Sequence, residues 1–315
     1  MTLTRWQRTA VLAAPLVVYV LFFVIPLISL GRMSLNEFTR LTGLQDAVTL
    51  DSFRTALTDD FYLRTFLTTL KLALIASVLC TALGCIVGYL MWRIGGNVRR
   101  VMLGVILAPL LVASVVRAFG WIGTIGPGGL LPHVSERIGL GTLTIYANEP
   151  AVIIGFVHIL LPFAVILFIT SLDNISPSVM KAAEGLGATE WRRIRAVVLP
   201  LTYPGVLSSL LFTFALASAA YSIPAILGGR RVLTASLAIY EQQTRLFNWP
   251  LAAALSLILI VVVAFAMSTY QALTRRGRTS RRRAWRRRDR PRDSAPDEGG
   301  VPGYDSRPAL GDQGG

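Results

Sequence analysis

At 315 residues, with 53% hydrophobic and only 15% charged residues and a mean hydropathy of +0.58, the chain is too apolar for a soluble domain of its length. Its net charge of +14 would suggest nucleic acid in a soluble protein, but the densest basic block, Arg275 to Arg290, directly follows the last apolar run and reads as membrane topology. No nucleic-acid partner is expected. The two cysteines, Cys80 and Cys85, lie five apart in one apolar run and face different directions, so neither a disulfide nor a metal-site spacing is indicated.

Taken in order, the apolar runs predict an all-α membrane protein with six transmembrane helices. Arg5 and Arg8 precede the first run, Ala10 to Leu30, which is too long for a signal-peptide core and lacks a following cleavage site. Residues 1–9 are therefore expected in the cytoplasm. Gly31 to Arg64 is polar and should lie outside, with a short amphipathic helix around Ser52 to Thr58. The second span is expected over Phe66 to Trp92, with Lys71 near its outer end, where the ammonium can snorkel. Arg93, Arg99 and Arg100 form a basic inner turn, and a third span runs from Val101 to about Gly120, bordered by Arg117 and Trp121. Gly126 to Pro150, rich in Gly and Pro, is expected outside.

The fourth span covers Ala151 to Leu172, the fifth Val206 to Leu227 and the sixth Leu251 to Tyr270, with Gly228 to Asn248 as a polar external connection. An even number of spans brings both termini inside, in agreement with the Arg-rich run after the sixth. The spanning region is then 10–274, followed by a basic, disordered tail over 275–315, rich in Pro, Asp, Gly and Ser beyond Arg290. The start of the tail suits anionic lipid headgroups, with Trp285 at the interface, or serves only as a topology anchor.

Between the fourth and fifth runs lies a polar interruption, 173–205. Ser176 can cap a short helix whose first position is Pro177, and Ala182 with Ala183 give that helix a face almost without side chains. Gly187 suits the left-handed position where the helix stops. Thr189 can cap a second short helix carrying Arg192, Arg193 and Arg195, which Leu199-Pro200 is expected to end. The result is a helix-turn-helix knob on the membrane surface, whose small residues allow close approach by another protein's groove.

Lys181-Ala182-Ala183, Gly187 six positions after Lys181, and Leu199-Pro200 resemble the EAA loop of ABC-importer membrane subunits, with Lys181 where that family usually has an acid. Further landmarks are Arg117-Ala118-Phe119-Gly120-Trp121, the stretch Phe156 to Phe163 around His158 and Pro162, Pro224 with Leu227-Gly228-Gly229, and Asn248-Trp249-Pro250. Together they look like the permease subunits of spermidine/putrescine-type importers. The resemblance implies a type I ABC-importer permease fold in a bacterial inner membrane. It also implies a coupling role for Ala182, Ala183, Glu184, Leu186, Gly187, Leu199 and Pro200. The implied partners are ABC ATPase subunits that bind the ATP, a second permease and an extracytoplasmic solute-binding protein that delivers a small solute. A polyamine is one candidate solute, although Leu201 to Ile239 contains no Asp or Glu.

No phosphate-cradling GxxxxGK[ST] loop and no catalytic constellation occur, so the chain is expected to be neither an ATPase nor another enzyme and to hold no cofactor or metal. His158 lies in the fourth span, and Pro162 cannot donate the helix bond to its carbonyl. The pair could line a solute path, or the imidazole could simply bond a neighbouring helix. Ser209, Thr213 and Tyr221 fall on one weakly polar stripe of the fifth span, which suits either a path or a helix-packing seam. The rival class, an ion-coupled secondary transporter or channel, commonly carries charges buried within its spans, whereas the charges here fall at span ends.

Overall fold

The computed structural model describes residues 13, 15–39, 43–139 and 141–288. Long apolar runs in a solvent that cannot hydrogen-bond the backbone must close their bonds internally, and the chain is accordingly built of helices. Five of those described are long and apolar enough to cross a membrane: α1 (Pro15–Met33), α3 (Asp60–Ile94), α7 (Glu149–Asp173), α9 (Glu190–Ala219) and the Trp249–Ala272 part of α12 (Trp249–Arg288).

The third expected span is not one straight helix. Its two halves, Gly96–Leu111 and Ser114–Arg137, meet at a bend of 99°. The first comprises α4 (Gly96–Leu107) and a 3-10 turn at Ala108–Leu111; the second comprises α5 (Ser114–Ile125) and α6 (Leu130–Arg137). Pro109 has no N–H to continue the α-helical ladder, and Val112 and Ala113 take extended backbone between the halves.

The fifth expected span also differs. Leu199-Pro200 does not end a short helix; α9 runs through it from Glu190 to Ala219. The wide π turn Ile194–Val198 directly precedes Leu199-Pro200; the Leu199 N–H bonds the Ile194 carbonyl, and the helix passes the proline without a break. The helix stops instead at Ala220, which is extended, and Ser222–Leu227 forms the separate α10.

The connections carry more structure than their polarity suggested. Asn36–Thr39 (β1) and Gly43–Val48 (β2) pair antiparallel, followed by α2 (Asp51–Thr58), the helix expected around Ser52 to Thr58. Gly228 to Asn248 is not merely a polar connection. It contains α11 (Ala235–Thr244), whose Ala235 N–H donates to Thr69 Oγ1 at 2.8 Å and whose Gln242 Nε2 donates to Tyr62 Oη at 2.9 Å, both across to α3. Helix α12 continues through the arginine run to Arg288, where a disordered tail had been expected from 275. Residues 1–9 and the rest of the expected tail, 289–315, lie outside the described residues. The chain divides into two units, Met1–Met267 and Ser268–Gly315.

Within the first unit, α3, α7 and α9 pack together. Their core holds Leu72, Ala76 and Cys80, Phe156, Leu160 and Ala164, and Phe214 with Ala217, joined by Ile223 and Leu227 of α10. Membrane helices gain little from burying apolar side chains away from lipid, so close backbone approach through small residues supplies the contact. A Cβ on Gly84 would fall 2.7 Å from the Ala164 Cβ, and one on Gly205 would fall 2.3 Å from the Ser171 Cβ.

Candidate functional site

The knob begins where α7 runs out of apolar sequence at Asp173. Ser176 sits in extended backbone at the head of α8 (Pro177–Gly185), as its residue type suggests, but its hydroxyl pairs with Ser178 Oγ at 2.7 Å and makes no side-chain cap. The helix ends as expected at Gly187, whose φ of +71° is left-handed. Around it the Leu186 N–H donates to the Ala182 carbonyl, the Gly187 N–H to that of Glu184 and the Ala188 N–H to that of Ala183, at 2.9–3.1 Å. These bonds satisfy carbonyls that a helix end would otherwise leave open. Thr189 then heads α9 without a side-chain cap.

One surface results. Ala182, Glu184, Gly187, Leu199 and Pro200 are exposed, and Ala183 is half-buried. Leu186 is 88% exposed and Trp191 69%. Both leave a large apolar side chain uncovered on the protrusion. Ala182, Ala183, Glu184, Leu186 and Gly187 thus gather on one protrusion, and Leu199 and Pro200 lie on α9, in which the second arm continues.

The protrusion is fastened to the bundle by groups the sequence reading had not assigned. Met180 packs on Phe168, Leu172, Ile175 and Val198, with Tyr89 and Trp92 alongside. The Glu190 carboxylate accepts from the Tyr89 hydroxyl at 2.5 Å and lies 3.2 Å from Arg93 Nη1, both on α3. It also pairs with Arg193, which reaches Glu184 on the other arm at 3.7 Å. Arg99 holds Asp173 through both carboxylate oxygens, at 3.0 and 2.6 Å. The spacing of Glu190 and Arg193 was a readable helical pair, whereas nothing local to Tyr89 or Arg93 announced a partner a hundred positions away.

The four candidate path residues do not form one site. Ser209 and Thr213 are fully buried; Ser209 Oγ lies 3.3 Å from Thr81 Oγ1, and the Thr213 hydroxyl donates to the Ser209 carbonyl at 2.8 Å. Ser209 thus meets α3 at a buried contact, while Thr213 bonds back to its own helix. Tyr221, beside the break at Ala220, stacks on Tyr240 with ring centroids 4.9 Å apart. His158 is half-buried, and its Nδ1 accepts from Trp121 Nε1–H at 3.2 Å. That bond fixes the neutral ring with its proton on Nε2. At the end of the bundle away from the knob, Lys71, expected only to snorkel, pairs with Glu149 at 2.6 Å.

Comparison with known proteins gives one family, two relatives and one solved structure. The family model described as binding-protein-dependent transport system inner membrane component matches residues 81–279. The spermidine/putrescine transport system permease protein PotB of Escherichia coli strain K12 is 29% identical over 229 residues, 72% of this chain and 83% of that protein. Its counterpart in Haemophilus influenzae is 28% identical over 225 residues, 71% and 78% of the two chains. Among solved structures, a bacterial ABC transporter involved in import of the acidic polysaccharide alginate superposes with a TM-score of 0.72 at 18% identity, over 86% of this chain and 96% of that one.

Proposed function

The chain belongs to the family of binding-protein-dependent transport system inner membrane components, and from that premise we propose that it is the membrane-spanning half of an ATP-driven importer, docked on its ATPases through the Ala182 to Gly187 knob. The observation that carries this reading is the knob itself. It is an exposed, small-residue turn closed by a left-handed glycine, on a protrusion tied by an ion pair to the end of α3 and flanked by the Arg99–Asp173 pair that joins α4 to the end of α7.

On this reading both termini and the knob face the cytoplasm. ATP is bound and hydrolysed by the partner subunits, and their closure displaces the knob. Helices α7 and α9 continue directly from its two sides and carry that displacement into the bundle. A second permease completes the pathway, and a binding protein outside presents a small solute. The PotB relatives support a polyamine as the first solute to test. An ion-coupled carrier is disfavoured because the described ion pairs lie at helix ends and not within the spans.

The test is a crosslink from Ala183→Cys in the full chain within its native membrane. Capture of a nucleotide-hydrolysing protein whose yield changes with bound ATP is the expected result. Capture of extracytoplasmic material only would end this reading.

A further inference from the structure

A helix that changes direction abruptly leaves carbonyls outside its ladder, and these need other donors. Helix α9 stops at Ala219, Ala220 is extended, and α10 starts afresh at Ser222. The Ala220 carbonyl is met from a different part of the chain, where the Ser236 hydroxyl of α11 donates to it at 2.9 Å. A carbonyl can only accept, so the one Ser236 proton is committed there, and the Thr234 hydroxyl, 3.1 Å away, is the donor to Ser236 Oγ. One turn further along α11, Tyr240 lies ring on ring with Tyr221, centroids 4.9 Å apart and planes 15° apart. Two contacts of different chemistry therefore close on the two residues that form the break.

Helix α11 is not free to follow α9. Its Ala235 N–H donates to Thr69 Oγ1 and its Gln242 Nε2 to Tyr62 Oη. Ala235 and Ala238 also lie in one buried cluster with Tyr62 and Phe66 of α3 and Leu251 and Leu255 of α12. The same short helix is thus fixed to α3 and α12 and holds the end of α9 through Ser236 and Tyr240. The two attachments differ in burial: Thr69 and Gln242 are buried, whereas Tyr221 and Tyr240 are 41% and 40% exposed. One neutral hydrogen bond and one ring pair each move an equilibrium by about a factor of ten or less. That is enough to select between two positions of α9 and too little to prevent the change.

We propose that Ser236 and Tyr240 are positioning residues for transport, a clasp that holds the end of α9 away from the knob and that must open when the knob is displaced. This rests on the importer reading above and adds to it the contact that resists the motor. Such a clasp stands in thermodynamic opposition to ATP. The ATP-bound state is reached only with the clasp broken, so loosening it tightens ATP binding by the partner subunits by the factor that the clasp loses.

The test uses the importer complex reconstituted in lipid, with ATP binding measured without Mg2+ so that nothing is hydrolysed, and amide exchange followed over residues 219–227 in the same samples. In Ser236→Ala/Tyr240→Ala the half-saturating ATP concentration should fall roughly tenfold or more and the exchange should quicken. Ser236→Ala/Tyr240→Phe, which keeps the ring pair, should give intermediate values, and Tyr240→Phe alone should match the wild type. Faster exchange with unchanged ATP binding would reduce the two side chains to a local fastening and overturn the proposal. Weaker ATP binding would also overturn it, because the contacts would then belong to the ATP-bound state, and so would exchange that none of the variants alters. A complex in which exchange quickens as expected but which contains no ATP-binding subunit would instead overturn the importer reading and leave the clasp standing.

Discussion

The Glu190 carboxylate lies 3.2 Å from Arg93 Nη1, and so joins the second arm of the knob to a helix that is not its neighbour in sequence. Helices α7 and α9 follow the knob because the chain is continuous; α3 follows it through this carboxylate and the Tyr89 hydroxyl. Both side chains of the ion pair are partly exposed, so the pair adds less than about 1 kcal/mol to stability. Under the proposed coupling its importance is directional, because it links a third helix to the same protrusion.

Glu190→Ala is therefore expected to leave the fold intact and to lower the uptake obtained per ATP hydrolysed. Reconstituted complexes in which both quantities are counted would check this. A ratio equal to that of the wild type would remove Glu190 from the coupling route.

Gly187→Val places a β-branched residue at a φ of +71°, at a cost of roughly 1–3 kcal/mol that distorts the turn locally. An added Cβ meets nothing within 4 Å, so the penalty is conformational and not a clash. ATP hydrolysis by the partners should continue while uptake fails, with membrane insertion unchanged on fractionation. Normal uptake would refute the coupling role of the turn.

Gly205→Val drives a Cβ to 2.3 Å from the Ser171 Cβ and 2.6 Å from its Oγ, so α7 and α9 must separate. A loss of roughly 1–3 kcal/mol is expected from such overpacking, read as a lower thermal midpoint in detergent. Ser171→Gly introduced into the same chain should restore part of it, since the two sites are coupled through one contact. Additive effects would show that this contact does not set the spacing of the two helices.

Thr69→Val keeps the shape of a buried side chain but removes the acceptor for the Ala235 N–H. The cost of leaving that buried donor unpaired is about 1–3 kcal/mol, and it should appear first as faster amide exchange over Ala235–Thr244. Unaltered protection there would mean that α11 is held by its apolar contacts alone.

The knob was legible in the sequence because its chemistry is local: Pro177 at a helix start, two alanines, and a glycine whose left-handed backbone stops the helix six positions after Lys181. The long apolar runs of α3, α7 and the Trp249–Ala272 part of α12 were legible for the same reason, with ends shifted by only a few residues, up to six at the start of α3. What could not be read depends on distant partners. Ala235 finds its acceptor 166 positions away, so α11 looked like a polar connection. Pro200 looked like a stop because the π turn that accommodates it has no composition of its own. Ser209 and Thr213 offered a stripe compatible with two roles, and the contact of Ser209 with Thr81 on a separate helix could not be read from either residue's neighbourhood.

Because Glu190–Ala219 is one uninterrupted rod, it works as a lever with its short end in the knob. Thirty residues at 1.5 Å each make it about 45 Å long, so tilting it by about 10° sweeps its far end through roughly 8 Å. That far end is Ala219, directly before the break that frees Tyr221 and α10. Under the proposed coupling, a small tilt begun at one face of the bilayer would reach the other as a gate-sized displacement.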